Sequence, residues 1–196
     1  MNKKTFIILI ILLIIISITL INILRILSTK SININNEYFK KYIEYAVENS
    51  LKINGVKLHN YQLLNMKGQK LTVSKVIGKS EKLVFRYTSL DCQICVDSEI
   101  DRLKYLGEKI GKDKIIIITS YADIKNFYNF YKINKLYNYN IYFIPIDFKL
   151  FPGESNTPYV FILDTNRVVK YSFFPDKAFP EYTVIFYRIL CRYFSY

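Results

Sequence analysis

Tryptophan is absent, histidine occurs once, and cysteine occurs three times in 196 residues. Three cysteines are too few for a small disulfide-stapled scaffold, and a single histidine without a dense cysteine cluster leaves little material for a zinc module. Glycine and proline are also scarce, at 6 and 5 residues, which excludes collagen-like, linker-like and low-complexity chains. What is abundant is apolar: 51% of the chain is hydrophobic and 16% is aromatic. A packed core is therefore expected, and the length suits one domain of roughly 150 residues with a short appendage. The formal charge of +12 would fit nucleic acid or an anionic surface, but it accompanies an abundance of Ile, Lys, Asn and Tyr such as AT-rich coding produces. We read it as compositional and expect no nucleic-acid partner.

Long uncharged runs are confined to the N-terminus. Phe6 to Leu24 carries no charge and is interrupted only by Ser17, Thr19 and Asn22. At about 1.5 Å per residue, such a helix reaches across a hydrocarbon core of roughly 30 Å. Lys3 and Lys4 precede it as a basic segment (residues 1–5). A cleaved signal peptide normally has a shorter apolar region, about 7 to 15 residues, so the length favours an uncleaved transmembrane anchor over 6–24. Arg25, Lys30, Lys40 and Lys41 follow the span and compete with Lys3 and Lys4 in the positive-inside count, so charge alone does not set its orientation.

Beyond the anchor, residues 25–50 read as a juxtamembrane linker followed by a helix. Ser28 to Asn36 is rich in Ser and Asn, whereas Glu37 to Asn49 places Tyr38, Phe39, Tyr42, Ile43, Ala46 and Val47 largely on one face. Residues 51–196 form the main domain. It starts with short apolar pieces and a hairpin-like turn at Lys67-Gly68. Leu83 to Thr88 is a strand, Cys92 to Ile110 a helix, and Lys114 to Ser120 a β-branched buried strand, which together make a βαβ unit with parallel strands. A helix from Asp123 to Ile133 and a strand from Tyr142 to Ile146 follow. The chain then enters a loop at Phe151 to Asn156 and leaves it through Thr157-Pro158 into a strand, Tyr159 to Leu163. A turn at Asp164-Thr165-Asn166-Arg167 connects this strand to Val168 to Phe173, and Phe179 to Tyr193 supplies a terminal helix. The class is α/β with an antiparallel edge.

The chemistry resides in Cys92-Gln93-Ile94-Cys95. This pair sits where a hydrophobic strand hands over to a helix, so the first sulfur lies near unpaired backbone N–H groups that stabilise a thiolate. Two intervening residues bring both sulfurs within one helical turn. Cys92 can then attack a disulfide as nucleophile, and Cys95 can resolve the mixed disulfide intramolecularly. Such chemistry requires no dissociable cofactor and no metal. It also favours an exported location, since a bacterial envelope permits disulfide chemistry that a reducing cytosol opposes.

On these residues the chain resembles the thioredoxin-like superfamily, most closely its membrane-tethered TlpA/ResA-like and redoxin (AhpC/TSA) branch. The resemblance covers roughly Leu63 to Tyr193 and rests on Lys67 to Ser74 before the first central strand, the C-x-x-C, Thr157-Pro158, and the hairpin around Asp164. It implies a mixed central sheet flanked by helices, preceded here by the transmembrane helix. It also implies a thiol-disulfide oxidoreductase acting on disulfide-containing or dithiol proteins, with electrons exchanged with a membrane redox partner. Pro158 would be a cis proline facing the active disulfide, and Thr157 would offer backbone hydrogen bonds to a bound peptide. The implied location is the inner membrane, single-pass, with the C-terminal domain in the periplasm. The sequence departs from the family pattern in two places. Asp91 stands where many members have Trp, and an adjacent carboxylate opposes thiolate formation. Gln93-Ile94 lacks the usual proline. Asp97 and Glu99 follow the pair at helical positions that suggest solvent-facing or capping roles.

Other readings use the same residues. A structural disulfide would join Cys92 and Cys95 without turnover, and a zinc site would have to recruit Cys191 and His59 from isolated positions. Cys191 reads as a buried apolar residue and His59 as a surface or packing one. Ser89-Leu90-Asp91-Cys92 loosely matches the peroxidatic loop of the redoxins, but Phe85 stands where that motif has proline. A membrane-tethered binding module without turnover is the remaining alternative.

Overall fold

The computed structural model describes residues 3–145, 149–151, 154 and 157–195, with the side chains of 3–12 and 27–35 outside that description. The chain divides into two compact units, residues 1–45 and 46–196. The first is helical. Helix α1 (Lys3–Ile53) runs through Ser28 to Asn36, the stretch expected to be a linker. That stretch holds neither Gly nor Pro, and Ser and Asn each weaken a helix interior by only about 0.5 kcal/mol relative to Ala. Lys41 pairs with Glu37 at 2.8 Å and Lys40 with Glu44 at 3.8 Å, both one turn apart.

Of the proposed Phe6–Leu24 span, the side chains of 6–12 lie outside the described residues, and among the described residues no helix is long and apolar enough to cross a membrane. The described part is apolar and uncovered. Leu13, Ile14, Ile15, Ile16, Ile18, Leu20 and the residues on to Ile26 are exposed around the helix rather than along one stripe. The Ser17 hydroxyl donates to the Leu13 carbonyl and the Thr19 hydroxyl to that of Ile16, both at 2.8 Å.

The second unit is built on a seven-stranded sheet comprising β1 (Gln62–Asn65), β2 (Lys70–Thr72), β3 (Lys82–Thr88), β4 (Ile115–Tyr121), β5 (Asn140–Pro145), β6 (Tyr159–Leu163) and β7 (Val169–Phe173). Their order is β2-β1-β5-β4-β3-β6-β7. The central β5, β4 and β3 are parallel, as the βαβ reading expects, while β1 and β6 flank them antiparallel. Strand β4 is buried along its whole length because it lies between β3 and β5 and is covered on both faces. The turn at Lys67-Gly68 joins β1 to β2, with Gly68 in the left-handed region. Gly55 to Leu58 hydrogen-bonds to β7 and its approach, covering that edge strand. The Asp164 carboxylate closes the β6–β7 turn by accepting from Asn166 N and Val168 N.

Helices follow the expected order, with one addition. A short helix α2 (Val73–Ile77) was not anticipated; its N-cap Thr72 accepts from Lys75 N. Helices α3 (Gln93–Ile110), α4 (Ile124–Ile133, capped by Asp123) and α5 (Pro180–Tyr193) cover the sheet. Val96, Ile100, Leu103, Leu106 and Ile110 of α3 pack with Leu83, Phe85, Ile115 and Ile117 in the main core. Ile146 of the fifth expected strand, and Pro152, Gly153, Ser155 and Asn156 of the expected loop, lie outside the described residues.

A buried ion pair joins the central sheet to that loop. Arg86 on β3 is fully buried; its Nε donates to Glu154 Oε1 at 2.8 Å, and a terminal nitrogen donates to the Tyr87 carbonyl. Glu154 also accepts from the Tyr159 hydroxyl at 2.6 Å and from Leu150 N at 2.9 Å. Breaking a buried pair leaves the other charge uncompensated, which costs about 3–5 kcal/mol. Urea denaturation should show that loss for Glu154→Ala, and the double variant Arg86→Met/Glu154→Leu should recover most of it.

Candidate functional site

Strand β3 ends at Thr88, and four residues later Cys92 caps α3. The intervening turn is tightly held. Asp91 is buried, and its carboxylate accepts from Thr88 N at 2.7 Å and from the Thr88 hydroxyl at 3.1 Å. The Asp91 carboxylate is thus bonded into the turn that precedes Cys92. Burial raises the Asp91 pKa, with the Thr88 hydrogen bonds acting in the opposite direction.

Cys92 is exposed and Cys95 half-buried, and both are free thiols. The Cys92 side chain makes no capping bond, so the first-turn amides remain available to its sulfur. The Cys92 thiol is held below the ordinary cysteine range by a hydrogen bond from the Cys95 thiol and then by the Cys95 backbone N–H. Lys177 and the Ile94 N–H act in the same direction. Burial pushes the Cys95 thiol up to about 11, and the hydrogen bond and charge of Cys92 add to that rise. One sulfur is exposed with its pKa lowered, whereas the other is half-buried with its pKa raised.

Behind Cys95 lies a cavity of about 100 Å³, with Ser98, Glu99, Arg102 and Lys177 among its lining residues. Glu99 stands one helical turn after Cys95. Sequence reading assigned it to solvent or a cap, but it is 2% exposed, because it falls within the apolar stripe of α3 between Val96 and Leu103. Its carboxylate pairs with Arg102 and accepts from the Tyr187 hydroxyl at 2.9 Å. Burial raises its pKa, and Arg102 and Tyr187 partly offset the rise. The helical spacing Val96, Glu99, Ile100, Leu103 was the signal that could have identified it. Lys177, in the loop before α5, had no comparable sequence signature.

Thr157 is half-buried and Pro158 buried. They immediately precede β6, whose first residue Tyr159 pairs with Arg86, so the topology brings them to the same end of the sheet as the β3–α3 turn. No peptide bond among the described residues is cis, so Thr157–Pro158 is trans where the resemblance implied cis. Trans is the preferred form of an X–Pro bond by about 0.5–1 kcal/mol. His59 is exposed, and Cys191 is half-buried on α5 rather than fully buried. Among the described residues, no group of three or more His, Cys, Asp or Glu side chains is arranged to hold a metal ion.

The architecture matches solved structures. One is the thiol:disulfide interchange protein DsbE from Chlorobium tepidum, with a TM-score of 0.55 and 15% identity, covering 70% of this chain and 96% of that one. The second unit has the thioredoxin-like fold. A C-terminal domain of a thiol-disulfide oxidoreductase from Bacteroides thetaiotaomicron gives a TM-score of 0.52 at 15% identity, covering 70% of this chain and 97% of that one. No protein-family model matches the chain, and no curated protein matches it by sequence. The mixed sheet and flanking helices expected of a thioredoxin-like fold are therefore present.

Two measurements follow from the ionisation pattern. Iodoacetamide should alkylate Cys92 first, with a pH–rate midpoint below that of an ordinary cysteine, while Cys95 should become reactive only near pH 11. Lys177→Gln should move the Cys92 midpoint upward, as peptide mass spectrometry would show. For Glu99, a folded pKa above the unfolded value means its contribution to stability is fully present below the unfolded pKa and is lost as pH rises through the folded one. Glu99→Gln should therefore remove the Glu99 contribution, so that the variant loses less urea stability, relative to the parent chain, as pH rises from acid towards neutral.

Proposed function

We propose that the protein is a membrane-anchored thiol-disulfide oxidoreductase that exchanges disulfides with protein thiols through Cys92 and Cys95. The observation that carries this reading is the split between the two thiols at the start of α3: Cys92 is exposed with a lowered pKa, and Cys95, one turn on, is sheltered with a raised one. The Cys92 thiolate attacks one sulfur of a substrate disulfide, forming a mixed disulfide and releasing the other substrate sulfur as a thiolate. Cys95 then loses its proton and attacks the Cys92 sulfur. A Cys92–Cys95 disulfide forms, the second substrate thiol leaves, and the substrate has gained two electrons and two protons. A second dithiol protein, such as a membrane redox partner, restores the pair; the reverse sequence oxidises a dithiol substrate.

Glu99 lines the same cavity as Cys95 and supplies a carboxylate to receive its proton. Thr157 and Pro158, at the same sheet end, are the surface on which a substrate peptide would be held. The fold is shared with proteins named as thiol-disulfide oxidoreductases, which supports this reaction class.

The membrane part of the proposal rests on the first unit. A helix apolar around its whole circumference needs burial, and the apolar side chains of Leu13 to Leu24 are exposed among the described residues. Ser17 and Thr19 satisfy their hydroxyls on their own helix, so they fit a hydrocarbon setting. An inner-membrane location with the second unit in the periplasm places the dithiol in a compartment that permits disulfide exchange.

The deciding assay uses the full chain in thiol/disulfide buffers and with a model disulfide protein. Turnover is expected, together with a reversible two-electron transition of the Cys92–Cys95 peptide. Cys92→Ser should abolish exchange, and Cys95→Ser should accumulate mixed disulfides at Cys92. Turnover retained by both variants would reject the assignment, and a dithiol that never exchanges would mark a tethered binding module.

A further inference from the structure

Away from the thiol pair, a groove of about 600 Å³ lies between α3 and α5. Its volume falls within the range of small-molecule sites, roughly 300–1,000 Å³. Leu106, Val184, Tyr187 and Cys191 give it an apolar lining, extended by the ring of Tyr105. Four charged residues also border it, and two of them are already committed. Arg102 pairs with Glu99, and Asp101 pairs with Lys104 at 3.3 Å. Lys109 and Arg188 remain. Neither is in an ion pair among the described residues, and the Lys109 ammonium lies 5.5 Å from the centre of the Tyr105 ring.

We propose that this groove binds an alkyl chain ending in a carboxylate, with the chain against Leu106, Val184 and Cys191 and the carboxylate between Lys109 and Arg188. An apolar concavity strips water from its occupant, so a wholly polar ligand would lose more hydration than two cations restore. A wholly apolar ligand would leave those cations without a counter-charge. A second copy of a chain with a net charge of +12 would bring like charge to the groove. The proposal does not depend on thiol exchange, and its readout is independent of that activity.

Cys191 lines the groove and serves as the reporter. In the full-length chain carrying Cys92→Ser and Cys95→Ser, held in phosphatidylcholine nanodiscs, it is the remaining thiol. Its N-ethylmaleimide alkylation rate would be followed by mass spectrometry with octanoate and, separately, with octanol. Octanoate should slow the reaction about tenfold at ten times its dissociation constant, and octanol at the same concentration should protect far less. The exposed-site variant Lys109→Gln/Arg188→Gln should raise the octanoate concentration for half-protection by about tenfold or more. Equal protection by octanol, or none by octanoate, would overturn the proposal. So would an alkylation rate that falls with protein concentration in the absence of ligand, which would assign the groove to a second copy of the chain.

Discussion

A guanidinium with no exposed surface sits within the sheet on β3, the strand that leads to Cys92. Arg86 occupies a strand position flanked by Phe85 and Tyr87, both buried. An ionised group there requires a counter-charge and filled hydrogen-bonding directions. Glu154 provides the charge from a loop distant in sequence and is itself fixed by the Tyr159 hydroxyl and Leu150 N. The requirement therefore determines where the loop returns to the sheet. Because Tyr159 opens β6 directly after Thr157-Pro158, the same pair fixes the approach of that dipeptide to the sheet end where β3 gives way to Cys92.

The two thiols differ because of one helix end. Cys92 lies at the N-cap, where the backbone N–H groups of Cys95 and Ile94 lower its pKa, whereas Cys95 has entered the turn and is half-buried. The N-cap faces free amides, and Cys95 is half-buried because it precedes Val96 at the start of the helix's buried stripe. The local sequence then adjusts the balance. Asp91 directs its charge into the turn, and Lys177 brings a positive charge towards both sulfurs.

The regular elements of the second unit were legible because their hydrophobic patterns are strong. Ile115 to Ile118 reads as a central strand in any setting, and Asp123 and the Asp164 turn announce a cap and a hairpin by side-chain chemistry alone. Cys92 and Cys95 were legible for the same reason: a strand before them and an amphipathic helix after them fix their position. What pattern could not show is pairing between distant charges. Nothing in Leu83 to Thr88 announces that Arg86 is buried against Glu154, 68 residues away. Glu99 was misread because residue type outweighed spacing: a carboxylate suggests solvent, yet the helical period placed it in the buried stripe. Helix α1 runs through Ser28 to Asn36 because weak helix formers do not stop a helix without Gly or Pro.

Two carboxylates with buried side chains, Glu154 and Glu99, tie separate elements together. Glu154 ties β3 to the loop before β6, and Glu99 ties α3 to α5 through Tyr187. Buried ion pairs are commonly matched or bettered in stability by apolar residues of similar volume, so stability alone does not account for them. Their shared position provides a physical reason for both. Each fixes a segment that flanks Cys92 and Cys95, and each does so with directional bonds that apolar packing lacks. Glu99 carries an added consequence: its carboxylate borders the Cys95 cavity, while its partners Arg102 and Tyr187 border the α3–α5 groove. Arg102 lines both spaces, so the guanidinium that holds the Glu99 carboxylate is shared between the groove and the Cys95 cavity.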